Sequence, residues 1–269
     1  MKNPLLFAIA FIIPCFVFAQ DIAHRRTTKL MGSRFDITIV AKDEATADHY
    51  IDKAIEEITR IENLISSWNP SSQTSKINNN AGVNPVKVDQ ELIDLIGRCI
   101  TVSKITDGAF DITYASIDKV WKYDGSMTEM PTKEAIENSV AKIGYQNIVL
   151  DKKLQTVFLK LEGMKIGFGA IGKGYAADKV RGMLKAEGVK SGIINASGDL
   201  TTWGKQPDGT DWMVGITNPL NKDNIFSWFP VVNAAVATSG NYEKYVTFNG
   251  IKYSHIIDPR TGYPSTGIL

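Results

Sequence analysis

The sequence predicts an α+β fold, a single domain of mixed and antiparallel sheets with helices packed against them. An alternating apolar stretch near the start leads straight into a long amphipathic helix, and the last third of the chain is mostly strand-like. No internal repeat and no linker divides the 269 residues, a length that allows one large domain or two small ones with a full-sized core.

Residues 28–41 alternate, with Phe35, Ile37 and Ile39 on one face, and predict a half-buried strand. Ala47, Ile51, Ala54, Ile58, Ile61 and Ile65 then recur at spacings of four and three, the mark of a helix with Glu56, Glu57 and Arg60 on its wet side. His49 falls off that stripe and reads as a solvated surface histidine. Residues 66–90 are rich in Ser, Asn, Pro and Gly and predict turns, yet Trp68 sits among them, either capping the core or stacking on a flat ligand.

A second helix is predicted over 89–105, with Leu92, Leu95, Ile96 and Cys99 on its buried face. Pro131 and Thr132 open another helix and Gly144 stops it. Strands are predicted over 147–151, 155–161 and 164–168, and a helix after Lys173 with Ala176, Val180, Met183 and Leu184 inward, ending at Gly188. A strand at Ile193-Ile194 enters a tight turn at Asn195–Asp199. Trp212–Ile216 and Asn233–Ala237 are further strand candidates. Asn249-Gly250 between Tyr245–Phe248 and Ile251–Ile257 is a strong hairpin signal.

Composition is that of an ordinary globular protein, 43% hydrophobic and 22% charged. Without Lys2, basic and acidic residues balance, so nothing points to nucleic acid or an anionic membrane surface. Lys2, the apolar run Leu5–Phe18 and the small residue Ala19 predict a signal peptide over 1–19 and a mature chain from Gln20. The residues before Cys15 are not those of a lipoprotein site, which favours a soluble exported protein; a retained anchor stays open. Cys99 alone then remains, in a pattern that predicts an inert buried thiol.

The chemistry centres on Gly167-Phe168-Gly169-Ala170-Ile171-Gly172-Lys173-Gly174. Glycines let a backbone approach a ligand closely, a following helix offers unpaired N–H groups and partial positive charge, and Lys173 adds a full charge. A phosphate-bearing ligand is predicted. Gly167-x-Gly169-x-x-Gly172 matches a dinucleotide fingerprint but lacks a well-placed acid. Gly167 to Lys173 also matches a phosphate-cradling loop, except that Gly174 stands where magnesium needs Ser or Thr. A plain tight turn is the third reading, and spacing separates the three only partly.

Taken together these segments resemble the FAD:protein FMN transferase family, also called the ApbE family and once described as thiamine biosynthesis lipoproteins. The strongest match is Ser254-His255-Ile256-Ile257-Asp258-Pro259-Arg260-Thr261-Gly262-Tyr263-Pro264. Asp107–Thr113, Gly169–Tyr175 with Asp178, Ala237–Gly240 with Tyr242, and Met31-Gly32 complete it, in the family's order from about residue 28 to the end.

The resemblance implies an ApbE-like, T-fold-related domain over 20–269. It implies an exported, periplasmic enzyme, soluble or attached to the inner membrane. Such enzymes split FAD with magnesium and attach FMN to a threonine of an acceptor flavoprotein, which a membrane complex can carry, releasing AMP. It assigns Met31, Trp68, Ala109, Phe110, Asp111, Gly167, Lys173 and Ile257 to the flavin site. His255, Lys173 and Asp111 become the catalytic set, and the Ala170 carbonyl a metal ligand. These groups are expected around one elongated cleft. Gly167 departs from a usual acid, Gln73 from a glutamate and Ser197 from a glycine. The resemblance also implies that the chain stops at Leu269 before the Asp and Thr that hold magnesium and before a closing strand. An FAD pyrophosphatase and a non-catalytic flavin carrier are the alternatives; AMP release without acceptor marks the first, intact bound FAD the second.

Overall fold

The computed structural model describes residues 20–218, 221–240 and 244–265; the predicted signal peptide and Tyr242 lie outside the described residues. Strands β1 (Ile22–Leu30) and β2 (Ser33–Ala41) form an antiparallel hairpin. The sequence predicts one strand there. Two form because Met31 and Gly32 take φ of 50° and 70° and turn the chain back. That two-residue geometry matches the twist of the flanking strands, at a cost of about 1–2 kcal/mol for the methionine. On β2, Phe35, Ile37 and Ile39 are fully buried, as their alternation predicts.

Helix α1 (Glu44–Ile65) is capped by Asp43, whose side chain accepts from Thr46 N, and the whole predicted stripe is buried. Burying one isoleucine is worth about 1.5–3 kcal/mol relative to leaving it exposed, so this stripe docks the helix on the sheet. Helix α2 (Gln73–Asn79) was not legible. It lies in the polar stretch, capped by Ser72, and buries Thr74, Ser75 and Ile77, which carry little hydrophobic period. Strand β3 (Val86–Lys87) and helix α3 (Gln90–Ile105) follow, with Cys99 buried and its thiol pushed up to about 12 by that burial. Helix α4 (Lys133–Ser139) starts on the Thr132 cap as expected but ends well before Gly144.

Next come β4 (Ile148–Asp151), β5 (Thr156–Leu159), helix α5 (Gly172–Ala186), β6 (Ser191–Ala196) and β7 (Asp199–Trp203). The predicted strand 164–168 is not one: among the described residues it pairs with no strand. Side chains satisfy it instead: Asn78 bonds both the N–H and C=O of Ile166, and Ser116 both those of Lys165. The chain ends with β8 (Trp212–Asn218), β9 (Asn221–Val231), β10 (Ala235–Val236), β11 (Tyr245–Phe248) and β12 (Ile251–Ser254). Asn249 and Gly250, at φ of 50° and 79°, make the predicted hairpin turn. The strand predicted over 233–237 shrinks to β10.

The main sheet has the order β1-β2-β6-β7-β10, the second β3-β5-β4, and β8–β9 and β11–β12 are hairpins. All these pairings are antiparallel. Helix α1 packs on β1 and β2, α5 packs on β6 and β7, and the two helices touch each other. One core runs through both sheets and these helices, which makes this the predicted single α+β domain.

Candidate functional site

The Met31–Gly32 turn, the end of α1 and the start of α5 meet around a partly open cavity of about 490 Å³. From the turn come Met31, Gly32 and Ser33; from α1 and its exit Glu62, Ile65, Ser66, Ser67 and Trp68; from the glycine loop Phe168, Gly169, Gly172 and Lys173. A Cβ on Gly172 would sit 2.9 Å from Ile65 Cδ1, so the absence of a side chain lets the two helix ends close on each other.

The wall formed by α5 is electropositive. Its N-cap, Ile171, offers no side-chain acceptor. Gly172 N–H returns to Phe168 O at 2.6 Å and Tyr175 N–H to Ile171 O at 2.9 Å, whereas the amides of Lys173 and Gly174 have no partner among the described residues. Lys173 also forms no ion pair among them. Two open N–H groups, the helix dipole and an ammonium together suit an anion.

The lining from α1 and its exit adds an exposed aromatic ring. Trp68 is 84% exposed, unusual for the most hydrophobic of side chains by area. It is not loose: Ser66 Oγ accepts from the amides of Trp68 and Asn69, and Lys119 Nζ stands 5.7 Å from the indole centroid. The turn presents the ring to the cleft. An exposed, anchored aromatic face near an electropositive wall suits a planar ring carrying a phosphate.

The other expected residues lie elsewhere. Asp111 is buried, with Oδ1 accepting from Thr113 N and Oγ1 and Oδ2 from Tyr145 N, so it holds a loop rather than facing the cleft. Phe110 packs against the core, and Ala109 and Ala170 are exposed loop residues. Gly167 donates to Ile112 O, and its missing Cβ would meet Ala115 Cβ at 3.0 Å. Ile257 bridges to Pro264. His255 is exposed, its Nδ1 3.2 Å from Lys244 O and its ring edge-on to Tyr123. None of these seven lines the cavity. The single elongated cleft expected from the sequence is therefore, in this geometry, a narrower one. The segment after Asp111 links the two regions: Lys119 reaches Trp68, while Trp121 donates to Gly262 O and stacks on Tyr253.

A family model described as the ApbE family matches residues 31–269. The chain belongs to the ApbE family. It is 32% identical to an FAD:protein FMN transferase of Klebsiella pneumoniae, over 87% of this chain and 72% of that protein. An FAD:protein FMN transferase of Escherichia coli K12 is 26% identical over 97% and 77% of the two chains. The crystal structure of the ApbE protein from Thermotoga maritima superposes with a TM-score of 0.79 at 30% identity, covering 91% of this chain and 79% of that one. The apo flavinyl transferase ApbE of Pseudomonas stutzeri also gives 0.79, at 26% identity, with 93% and 78% covered.

In this ApbE chain, sequence reasoning missed Glu62, the one carboxylate of the cleft, and Ser66, whose hydroxyl sets the tryptophan turn. Glu62 follows the buried Ile61 and reads as another solvated position of α1; only its contact with Met31 N, 2.9 Å away, marks it. The described residues include no group of three or more His, Cys, Asp or Glu able to hold a metal. The Ala170 carbonyl by itself does not fit a magnesium site, which ordinarily adds one or two carboxylates to substrate phosphates.

Proposed function

We propose that this ApbE-family chain transfers the FMN moiety of FAD to a threonine hydroxyl of a target protein, releasing AMP. The observation that carries the reading is the cavity lined both by the exposed Trp68 and by Lys173 at the open N-terminus of α5. The names of the relatives support it.

In the reaction the threonine oxygen bonds to the FMN phosphorus, the pyrophosphate P–O bond breaks, and AMP leaves with that oxygen. Lys173 and the α5 amides hold the phosphates and offset charge as the bond breaks. Trp68 and Met31 hold the ring, which fixes the phosphorus in place for attack. The threonine proton needs a base, and His255 is our assignment on the family resemblance; it lies outside the cavity, so the assignment requires the FMN phosphate to extend from the cavity to within hydrogen-bond reach of its imidazole. If its Nδ1–H donates to Lys244 O, Nε2 is left free to accept. Its exposed position suits a group that meets an incoming protein. Magnesium, where bound, supplies charge neutralisation at the pyrophosphate; the described donors do not complete a site for it, and no step here depends on them doing so. The acceptor, in this reading, is an exported or membrane-associated flavoprotein.

The test is incubation with FAD, magnesium and a candidate acceptor, followed by mass analysis of the acceptor. An FMN adduct that disappears when the acceptor threonine is replaced by alanine supports the transfer. AMP release at an undiminished rate without acceptor, and no adduct with it, would make the protein an FAD pyrophosphatase; intact FAD throughout would make it a carrier.

A further inference from the structure

The two ionisable side chains of the cleft, Glu62 and Lys173, come from opposite helix ends. Glu62 lies one turn before the C-terminus of α1, where the helix dipole is negative, and Lys173 in the first turn of α5, where it is positive. Each charge therefore adds to its own dipole. The cleft receives a negative charge from one helix end and a positive charge from the other.

Glu62 has a structural task that uses one of its oxygens. Oε2 accepts the Met31 backbone N–H at 2.9 Å, tying the β1–β2 turn to α1. Oε1 has no hydrogen-bond partner among the described residues, in a side chain that lines the cavity. A carboxylate oxygen in that position accepts an N–H or O–H and repels a phosphate.

We infer that Glu62 is the specificity-determining residue of the cleft: its second oxygen takes a hydrogen-bond donor from the uncharged end of the ligand and excludes the phosphate from that end. This rests on the flavin reading and deepens it. A flavin offers two such donors, the imide N–H of its ring and the hydroxyls of its ribityl chain, while its phosphates offer only acceptors. Glu62 and Lys173 then set which end lies where before any chemistry begins.

The experiment compares wild type, Glu62→Gln and Glu62→Ala in titrations with lumiflavin, riboflavin and inorganic pyrophosphate. Glutamine keeps an oxygen for Met31 N–H, so the thermal midpoint of that variant should stay near wild type. Its riboflavin affinity should fall about tenfold or more, because with the amide oxygen kept on Met31 the –NH2 faces the ligand's donor and the hydrogen bond to a charged acceptor is lost. Pyrophosphate affinity should hold or rise, because a repulsive charge is gone. A matching loss for lumiflavin assigns the ring imide; a loss confined to riboflavin assigns the ribityl hydroxyls. Alanine should lose riboflavin affinity further and melt earlier. Equal weakening of riboflavin and pyrophosphate in the glutamine variant would reduce Glu62 to a structural role, and unchanged riboflavin affinity would remove it from recognition. Either result overturns the inference alone. Failure of the wild-type protein to bind riboflavin at all overturns the flavin reading with it.

Discussion

Gly172 and Ile65 are in such close register that a Cβ on the glycine would fall 2.9 Å from the isoleucine Cδ1, with Met31 Cε another 0.5 Å further off at 3.4 Å. This junction sets the width of the cleft. Overpacking a buried contact costs about 1–3 kcal/mol. Replacing a helical glycine by alanine returns about 0.5–1 kcal/mol. Gly172→Ala should therefore destabilise the protein by about 1 kcal/mol and weaken FAD binding, as α5 is pushed off α1. Thermal denaturation and FAD titration check both; an unchanged midpoint and affinity would mean the junction is loose.

Lys173→Ala should weaken FAD more than riboflavin, and Trp68→Ala riboflavin at least as much as pyrophosphate-bearing ligands. The lysine belongs to the electropositive wall, and a hydrogen bond to a charged group is worth roughly 1.5–3 kcal/mol, so the first loss should be about tenfold or more. The indole contributes ring area instead, which both ligands share. Parallel titrations of each variant with the two ligands give the ratio. Equal losses in the lysine variant would place its charge away from phosphate.

Asp111→Asn should lower stability by about 2–3 kcal/mol, because an amide nitrogen set against Tyr145 N–H leaves a buried donor facing a donor. Urea denaturation measures it. A variant with full stability and lost transfer would return Asp111 to the chemistry that its family position implies.

Glu91 on α3 receives Arg60 from α1 at 2.8 Å, and Tyr175 and Lys179 from α5 at 2.7 and 3.2 Å. Burial pushes its carboxyl up, but the hydrogen bonds from Arg60, Tyr175 and Lys179 outweigh that and hold it at about 2, against an ordinary 4.5. A depressed folded-state value means stability that is fully present above pH about 4.5 and lost as pH falls toward about 2. Denaturation midpoints at pH 5 and pH 3 should differ more in wild type than in Glu91→Gln. Identical slopes would show that the cluster is screened by water.

Much of the scaffold was legible because it obeys a period. The stripe from Ala47 to Ile65 and the face from Leu92 to Cys99 repeat as helices do and are buried as helices bury. Asn249-Gly250 turned where a positive φ is needed at both positions. The glycine loop ahead of α5 and the lone lysine in it predict an anion site from local chemistry alone, and the amides of Lys173 and Gly174 have no partner among the described residues. Helix α2 is not legible because its buried residues are hydroxyls and one isoleucine, and the strand-like run at 164–168 forms no strand because the side chains of Asn78 and Ser116 take the hydrogen bonds of Lys165 and Ile166.

The sequence by itself determined the α+β class, the amphipathic helices, the phosphate-suited loop and the family, since each depends on residues close together in the chain or on motifs kept in order. Only the tertiary structure decided which of those motifs share a cleft. Glu62 meets Met31 across 31 residues, and Ile65 meets Gly172 across the whole central part of the chain. It also turned Asp111 inward to cap a loop, where the motif alone placed it at the flavin. A motif reports what a side chain is able to do; its partners are set by the packing of α1 and α5 on the sheet, and no local pattern encodes where two distant helix ends will meet.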